Sequence, residues 1–174
     1  MTTVVSGLNA AKKAAIYAEV KRDIEAVLDG EPNLTARMAT VSCLLAQAFD
    51  YYFWTGFYVV DEVKKAQGLN ELVIGPYQGT LGCLRIAYTR GVCGAAAMQR
   101  QTIIVDDVHA FPGHIACDSR SNSEIVVPVF DASGELIAVF DVDSEAYASF
   151  DDTDKAGLEA IMASVFAGLK FLAL

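Results

Sequence analysis

One short turn constrains the fold of this chain more than any other feature. Residues Asp131-Ala132-Ser133-Gly134 are a cluster of turn formers, and a strand-like apolar segment lies on each side, Glu124–Phe130 before it and Glu135–Val142 after it. Two strands joined by so short a connection pair as an antiparallel hairpin. Symmetric pairing around the turn places Glu124 opposite Asp141. We therefore expect the chain to build its core on an antiparallel sheet.

The segments outside the hairpin predict helices before and after the sheet. Apolar residues recur at helical spacing over residues about 9–49, in two helices separated by Gly30 and Pro32, and again in a closing helix over about 150–171. That last helix is expected to start near Ser149, because Ser149 and Asp152 have the spacing of a capping box. Further strands are expected at Tyr52–Val60, Glu71–Tyr77 and Thr102–Asp106, and a short helix at Val92–Arg100. This order predicts one α+β domain over residues 1–174.

Composition and charge exclude several classes of function. The 174 residues are 53% hydrophobic, enough for a buried core, and carry 13 Lys and Arg against 22 Asp and Glu, a net charge of −9. Such a chain has no excess of cations with which to bind nucleic acid or an anionic membrane surface. It also shows no signal-peptide pattern and no apolar run near the ~20 residues that cross a bilayer. We therefore expect a cytoplasmic protein with neither nucleic-acid nor membrane partners, whose cysteines are thiols.

The four cysteines fall into two groups. Cys43 lies among apolar residues of the second predicted helix and is expected to be buried in the core. Cys83, Cys93 and Cys117 lie in loops or at the ends of elements, and Cys117 is in the middle of the irregular segment 107–123. Three interpretations stay open for them: packing, a zinc site, or thiol redox chemistry with one nucleophile and one resolving cysteine. Intervals of nine and twenty-three residues are unlike those of paired zinc ligands, so redox chemistry is favoured.

Three acidic residues are predicted to meet at the open end of the hairpin. Asp141 and Asp143 alternate at the end of its second strand, so their side chains project from one face, and Glu124 begins its first strand. Like charges this close either bind a cation or raise the pKa of one carboxyl group until a proton is shared. The alternative is a solvated acidic rim.

Aromatic residues open the first predicted strand. Alternation places Tyr52, Trp54 and Tyr58 on one face, unless Gly56 introduces a bulge. These rings belong either to the core or to the wall of a pocket, where Trp54 would contact an apolar or sulfur-containing ligand. The sequence contains no glycine-rich nucleotide motif and no Gly-x-Ser-x-Gly elbow, so nucleotide-dependent and serine-hydrolase chemistry has no support.

Six blocks of the sequence resemble motifs of the free methionine-R-sulfoxide reductases. They follow one another in the family's order between about residues 50 and 160, and the block around Cys117 is the most specific. The blocks are Trp-Thr-Gly-Phe-Tyr (54–58), Ile-Gly-Pro-Tyr-Gln-Gly (74–79), Gly-Val-Cys-Gly (91–94), His-Ile-Ala-Cys-Asp-Ser-Arg-Ser-Asn-Ser-Glu-Ile-Val (114–126), Phe-Asp-Val-Asp-Ser (140–144) and Phe-Asp-Asp-Thr-Asp (150–154). The resemblance implies a GAF-like fold, an antiparallel sheet of about six strands with helices packed on its faces.

The same resemblance implies an enzyme that reduces free L-methionine-R-sulfoxide through cysteine chemistry. Cys117 resembles the family's nucleophile and Cys83 its resolving cysteine. Cys93 matches a third cysteine, which we interpret as a backup nucleophile or a second resolving residue. The reductant implied is thioredoxin, with no bound cofactor and no metal, and the family suggests a homodimer.

The implied substrate site combines the acidic and the aromatic residues. Glu124, Asp141 and Asp143 match the family's acidic substrate site, and Trp54 matches its aromatic wall, with Tyr58 on the same face of the strand. A rival interpretation is a GAF-type sensor that binds a small molecule without turnover. Sensor modules are usually joined to an output domain, none is recognised in these 174 residues, and three loop cysteines would stay unexplained. A structural zinc protein, the third interpretation, would contain stoichiometric metal.

Overall fold

Six strands form one antiparallel sheet in the computed structural model of the protein, which describes residues 8–115 and 117–169. The strands are β1 (Trp54–Val60), β2 (Glu71–Gln78), β3 (Arg85–Ala87), β4 (Ile103–Val105), β5 (Ser123–Phe130) and β6 (Leu136–Ser144). Their spatial order is β3-β2-β1-β6-β5-β4. The helices are α1 (Ala10–Val27), α2 (Leu34–Ala48), α3 (Glu62–Ala66), α4 (Gly91–Gln99) and α5 (Asp152–Phe166), with a 3₁₀ turn at Val108–Ala110. The predicted α+β architecture is confirmed.

The two faces of the sheet pack against different elements. Helices α1, α2 and α5 cover one face, where the side chains of Phe57, Phe140 and Leu158 are fully buried. Helix α4 and the loops around it cover the other face, in a second apolar cluster that includes Trp54 and Tyr58. Alternation along β1 produces this division, because Phe57 points to the first layer and its neighbour Tyr58 to the second.

The first two helices begin at asparagine caps. The side chain of Asn9 accepts a hydrogen bond from the Lys12 amide at 3.0 Å, and that of Asn33 accepts one from the Ala36 amide at 2.9 Å. Each cap satisfies an amide that a helix start leaves without a partner. Both predicted N-terminal helices are therefore present within the range expected for them.

The predicted cap of the last helix was wrong by two residues. Asp151, not Ser149, is the N-cap of α5, and it forms a capping box with Asp154. The Ser149 hydroxyl instead donates to Ser144 Oγ at 2.7 Å and so belongs to the preceding turn. Helix α5 ends at Phe166, short of the predicted 171, and residues 170–171 lie outside the described residues.

The hairpin exists, but its predicted register was wrong by two residues. Glu124 pairs with Asp143, whereas Asp141 pairs with Val126. The register shifts between Val129 and Phe130, a bulge that lengthens one side of the hairpin near the turn. A shift of two residues leaves every side chain on its original face, because the strand period is two. The expected convergence of the acidic residues therefore survives.

Two expectations about burial were also wrong. Tyr52 precedes β1 and stacks on Phe49 at 4.7 Å between ring centroids, in the helical layer, so it does not share a face with Trp54 and Tyr58. The chain turns between Phe49 and Trp54, and strand alternation does not apply there. Cys43 is only half-buried, and its sulfur accepts a hydrogen bond from Gln47 Nε2 at 3.2 Å.

The sequence patterns missed two short elements. Strand β3 has three residues, too few to show an alternating pattern, and helix α3 occupies the connection between β1 and β2. Within residues 8–115 and 117–169, none of the helices has the length and apolar character needed to span a membrane.

Candidate active site

A cavity of about 40 Å³ lies on the sheet face opposite α1, α2 and α5. The cavity opens to the surface, so a small molecule can enter it from solvent. The central strands supply its floor, and α4 and two loops supply its walls. Seven of the eight predicted site residues line it: Trp54, Tyr58, Cys93, Cys117, Glu124, Asp141 and Asp143. The eighth, Cys83, is bonded to Cys117.

Three carboxyl groups share the floor of this cavity. Glu124 and Asp143 are directly paired across β5 and β6, and Asp141 lies two residues before Asp143 on the same face. Glu124 is 6% exposed and Asp141 5%, and Asp143 is half-buried. Among the described residues, no Lys, Arg or His forms a salt bridge with any of the three. The acidic cluster, as we call Glu124, Asp141 and Asp143, is thus buried without a protein cation.

Burial raises the pKa of every carboxyl group in the acidic cluster. Desolvation raises the pKa of Asp141 to about 7, against the opposing effect of hydrogen bonds from Cys93 and Glu124. Burial, followed by the charges of Asp141 and Asp143, raises the pKa of Glu124 well above its usual value. Burial and the charge of Asp141 also raise the pKa of Asp143. The cluster therefore retains protons near neutral pH that isolated carboxyl groups would lose.

One carboxylate oxygen of the cluster lacks a partner. Asp141 Oδ1 is buried and has no hydrogen-bond partner among the described residues. A buried polar atom in this state costs free energy, and native proteins rarely keep one unless a ligand, water or ion completes it. Asp141 lines the cavity. Its free oxygen therefore marks a position where a hydrogen-bond donor or a cation can bind.

Stacked aromatic rings form one wall of the cavity. Trp54 lies nearly parallel to Tyr58 and to Tyr77, with ring centroids 5.6 and 5.1 Å away. The indole Nε1 donates to the Thr80 carbonyl at 3.0 Å, which fixes the orientation of the ring. A Cβ on Gly82 would lie 3.0 Å from the Tyr58 hydroxyl, so only glycine lets this loop approach the wall so closely. The result is a rigid, flat, apolar surface beside the acidic cluster.

Two loops bring Cys83 and Cys117 together at the mouth of the cavity. The two residues form a disulfide with a Cα–Cα distance of 5.4 Å. Cys117 is exposed, while Cys83 is partly buried. A hydrogen bond of 2.8 Å from Thr80 Oγ1 to Asp118 Oδ2 joins the same loops independently of the disulfide. The loops therefore have a second connection that does not involve the cysteines.

Asp118 also belongs to the surroundings of the disulfide. Arg120 contacts Asp118 at 3.0 Å and lies over the Phe53 ring, 4.6 Å from its centroid. The hydrogen bonds of Arg120 and Thr80 lower the pKa of Asp118, so this carboxyl group stays ionised. The sequence patterns indicated no role for Thr80 or Asp118. The position of Asp118 directly after Cys117 was the available signal, but its partner Thr80 is 38 residues away in sequence.

Cys93 lies deeper than the disulfide. It sits in the first turn of α4 and is 3% exposed, with its sulfur 4.0 Å from Glu124 Oε1. Burial, and then the negative charges of Asp141 and Glu124, raises the pKa of the Cys93 thiol well above its usual value. Cys93 is thus a neutral thiol at neutral pH in the absence of a ligand.

Potential metal ligands are few in the described part of the chain. Ligand atoms of Cys93, Glu124 and Asp141 all lie within 4.8 Å of one another. The two histidines do not join this group. His114 lines the cavity, and burial and the nearby His109 lower its pKa, whereas His109 Nε2 contacts Asn122 at 3.0 Å.

Comparison with known proteins decides the family. The GAF domain model matches residues 32–167. The free methionine-R-sulfoxide reductase of Escherichia coli is 40% identical over 153 residues, which are 88% of this chain and 88% of that protein. The chain belongs to the free methionine-R-sulfoxide reductases of the GAF-domain family. The resemblance seen in the sequence motifs, and the GAF fold it implied, are confirmed.

Solved structures agree with this family. The free methionine-R-sulfoxide reductase of Neisseria meningitidis, crystallised with its substrate, superposes with a TM-score of 0.82 at 43% identity, over 95% of this chain and 93% of that chain. A protein of Burkholderia vietnamiensis that is named as a GAF sensor superposes with a TM-score of 0.82 at 48% identity, over 90% of this chain and 95% of that chain. The similarity of this chain to the free methionine-R-sulfoxide reductases therefore extends over nearly the whole fold.

Proposed function

We propose that this protein reduces free L-methionine-R-sulfoxide to L-methionine with Cys117 as nucleophile and Cys83 as resolving cysteine. The observation that carries the proposal is the position of the Cys83–Cys117 disulfide at the mouth of a cavity whose floor holds three carboxyl groups. The relatives from Escherichia coli and Neisseria meningitidis are named as reductases of this substrate, which supports the same activity.

In the first proposed step, the Cys117 thiolate attacks the sulfoxide sulfur. The oxygen passes from the substrate sulfur to the Cys117 sulfur, and the transient bond between the two sulfurs breaks. Methionine leaves with its sulfur reduced by two electrons, and Cys117 is oxidised by two electrons to a sulfenic acid. The oxygen must gain a proton as it separates from the methionine sulfur. A carboxyl group with a raised pKa supplies it, and the pKa of about 7 makes Asp141 suited to this task. Glu124 and Asp143 are the other candidates.

An ionised carboxylate of the cluster, other than the proton donor, binds the ammonium group of the substrate. A charge-assisted hydrogen bond to a buried carboxylate selects a free amino acid, because methionine inside a peptide has no ammonium group. The apolar wall of Trp54 and Tyr58 contacts the sulfur and methyl groups of the side chain. The site thus contacts both the ammonium group and the end of the side chain of the free amino acid.

In the second proposed step, the Cys83 thiol attacks the sulfenic acid of Cys117. The disulfide forms and water leaves. The observed Cα–Cα distance of 5.4 Å is typical of disulfides. Thioredoxin then reduces the bond and regenerates both thiols. Because Cys93 is buried and its pKa raised, we assign it only the secondary role of backup nucleophile or second resolving cysteine.

The domain organisation, location, reductant and assembly of the protein complete the proposal. We propose that residues 1–174 act as a single GAF-like domain and that the protein works in the cytoplasm, where thioredoxin is available. It uses external thiols rather than a bound cofactor, and it functions as a homodimer.

A stereospecific assay tests the proposed activity. Free methionine-R-sulfoxide and the S epimer are supplied with dithiothreitol to the wild type and to Cys117→Ser, with Cys43→Ser as the matched control. We expect turnover of the R epimer alone, its loss in Cys117→Ser and full activity in Cys43→Ser. Absence of turnover in the wild type would overturn the enzyme and leave the sensor interpretation, and full activity in Cys117→Ser would reassign the nucleophile.

A second comparison separates the resolving step from the first reduction. Cys83→Ser should reduce about one equivalent of substrate in a single turnover but lose cycling with thioredoxin, because no disulfide can form with Cys117. Cys93→Ser should retain thioredoxin-dependent cycling. Exchange of these two results would identify Cys93 as the resolving residue.

A further inference from the structure

We propose that Cys93, Glu124 and Asp141 form a binding site for a zinc ion that competes with the substrate. The Cys93 sulfur and one oxygen from each carboxyl group lie within 4.8 Å of one another. All three residues line the same cavity, which connects them to solvent. Binding of the ion itself is independent of the proposed reductase activity, whereas competition with the substrate rests on it.

The ligand set fits zinc better than it fits calcium or magnesium. Zinc binds thiolate, and also carboxylate oxygens, at about 2.0–2.3 Å in tetrahedral geometry, so its ligand atoms lie roughly 3.5 Å apart. The 4.0 Å between Cys93 Sγ and Glu124 Oε1 must contract by about 0.5 Å, and any separation near the 4.8 Å limit by about 1.3 Å, on binding of the ion. Calcium and magnesium prefer sets made of oxygen alone. Three protein ligands leave a fourth position for water.

A second observation points to a ligand at the same place. Asp141 is 95% buried, with 5% exposure, and its Oδ1 has no hydrogen-bond partner among the described residues. Among the described residues, no Lys, Arg or His forms a salt bridge with Glu124 or Asp141. A divalent ion would complete the free oxygen and offset two of the three negative charges of the thiolate and the two carboxylates.

The position of the ion predicts its effect. In the proposed function the acidic cluster holds the substrate ammonium, and zinc would occupy the same carboxylates. It would also convert Cys93 from a thiol to a bound thiolate, with its proton released to solvent. We therefore expect zinc to inhibit by competition with methionine-R-sulfoxide. Sequence patterns suggested a cation at the carboxyl groups and zinc at the cysteines as separate alternatives. They could not join Cys93 to Glu124 and Asp141, because the three residues lie on three different elements.

Metal binding to the oxidised protein tests the site most cleanly. With Cys83 and Cys117 in a disulfide, Cys43 and Cys93 are the two thiols left among the four cysteines of the chain. Cadmium is titrated into the protein and the ultraviolet charge-transfer band of cadmium thiolate is recorded. Zinc affinity is measured by competition with a chromogenic chelator. The variants are Cys93→Ser and Glu124→Gln, with Cys43→Ser as the control and melting temperature as the check on folding.

We expect one equivalent of metal to bind to the wild type and to Cys43→Ser. Cys93→Ser should lose the cadmium band, and both Cys93→Ser and Glu124→Gln should bind zinc at least about tenfold more weakly. If Cys93→Ser fails to fold, Glu124→Gln decides. The proposal is wrong if the wild type binds no equivalent of metal, if Cys43→Ser loses the band, or if a folded Glu124→Gln retains wild-type affinity. Competition is tested separately, as a rise in the KM for the substrate with zinc at unchanged kcat.

Discussion

Two buried groups of charged residues differ in whether a cation accompanies their carboxyl groups. Beside α1 and α5, the fully buried Asp154 lies 2.5 Å from Lys13 Nζ, and the hydroxyls of Tyr17 and Tyr51 donate to its other oxygen at 2.8 and 3.0 Å. On the other face of the sheet, Glu124 and Asp141 are nearly as buried and Asp143 is half-buried, but the acidic cluster has no salt bridge in the described residues.

The difference separates a structural use of buried charge from a functional one. A buried carboxylate that has its cation and its hydrogen bonds is part of the folded structure's stable core. Removal of one of these partners strongly lowers the free energy of unfolding. A cluster that lacks them costs stability in the free protein and gains it back when a ligand supplies the missing charge. Substitutions at Lys13 and in the acidic cluster should therefore have opposite effects.

The largest effect on stability is expected at the paired group. Lys13→Met leaves Asp154 buried without its cation and should lower the free energy of unfolding by about 3–5 kcal/mol. Urea titration measures this change, and kcat/KM per folded molecule should stay near that of the wild type. The neighbouring Lys12 is exposed, so Lys12→Met is the matched control and should change little. Equal stabilities of the two variants would show that the pair does not support the fold.

The acidic cluster should respond in the opposite way. Asp141→Asn removes a buried carboxyl group without a cation, so the free energy of unfolding should stay constant or rise. The value of kcat/KM for methionine-R-sulfoxide should fall about 100-fold, as expected when a proton donor or a charged contact is lost. The control is Asp106→Asn, because Asp106 is exposed. A loss of stability with unchanged kinetics would assign Asp141 to the structural class.

The pH dependence of stability should show the same contrast. A carboxyl group with a raised pKa binds more protons folded than unfolded, so its contribution to stability is complete below the unfolded pKa and is lost as pH rises through the folded pKa. For Asp141 the window extends from about pH 4, the usual value for an aspartate, to about pH 7. Urea titrations across this window should show Asp141→Asn gaining stability relative to the wild type as pH rises. A constant difference would contradict the raised pKa.

The smallest effect is expected where a pair is exposed. Lys21 and Glu25 lie 2.5 Å apart, as close as Lys13 and Asp154, but their side chains are 34% and 42% exposed. Lys21→Gln should leave the free energy of unfolding close to that of the wild type, because solvent screens the pair. Urea titration of Lys21→Gln and Lys13→Met side by side compares the loss of an exposed pair with the loss of a buried pair. A loss as large as that of Lys13→Met would mean that pairing matters more than burial.

The sequence predicted the site better than it predicted local geometry. Glu124, Asp141 and Asp143 could be placed on one face by strand alternation alone, because an error of two residues in register does not change the face. The register itself could not be predicted, since it depends on a bulge between Val129 and Phe130 that no sequence signal marked.

Other differences have equally local causes. The side chain of Tyr52 points to the helical layer because the chain turns before β1. The N-cap of α5 is Asp151 because the Ser149 side chain is bonded within the preceding turn. The Cys83–Cys117 pairing came from resemblance to a family, because a sequence separation of 34 gives no information on the distance between the cysteines. The unpartnered oxygen of Asp141 is a three-dimensional property and had no equivalent in the sequence.

The most direct test of the central claim is the kinetic comparison of free methionine-R-sulfoxide with its N-acetyl derivative in the wild-type enzyme. The claim is that the acidic cluster lacks a protein cation because the substrate ammonium supplies one. Acetylation removes that charge and leaves the sulfoxide unchanged. We expect kcat/KM for the acetylated compound to be lower than that for the free amino acid by at least about 100-fold. Comparable kcat/KM values for the two compounds would contradict it.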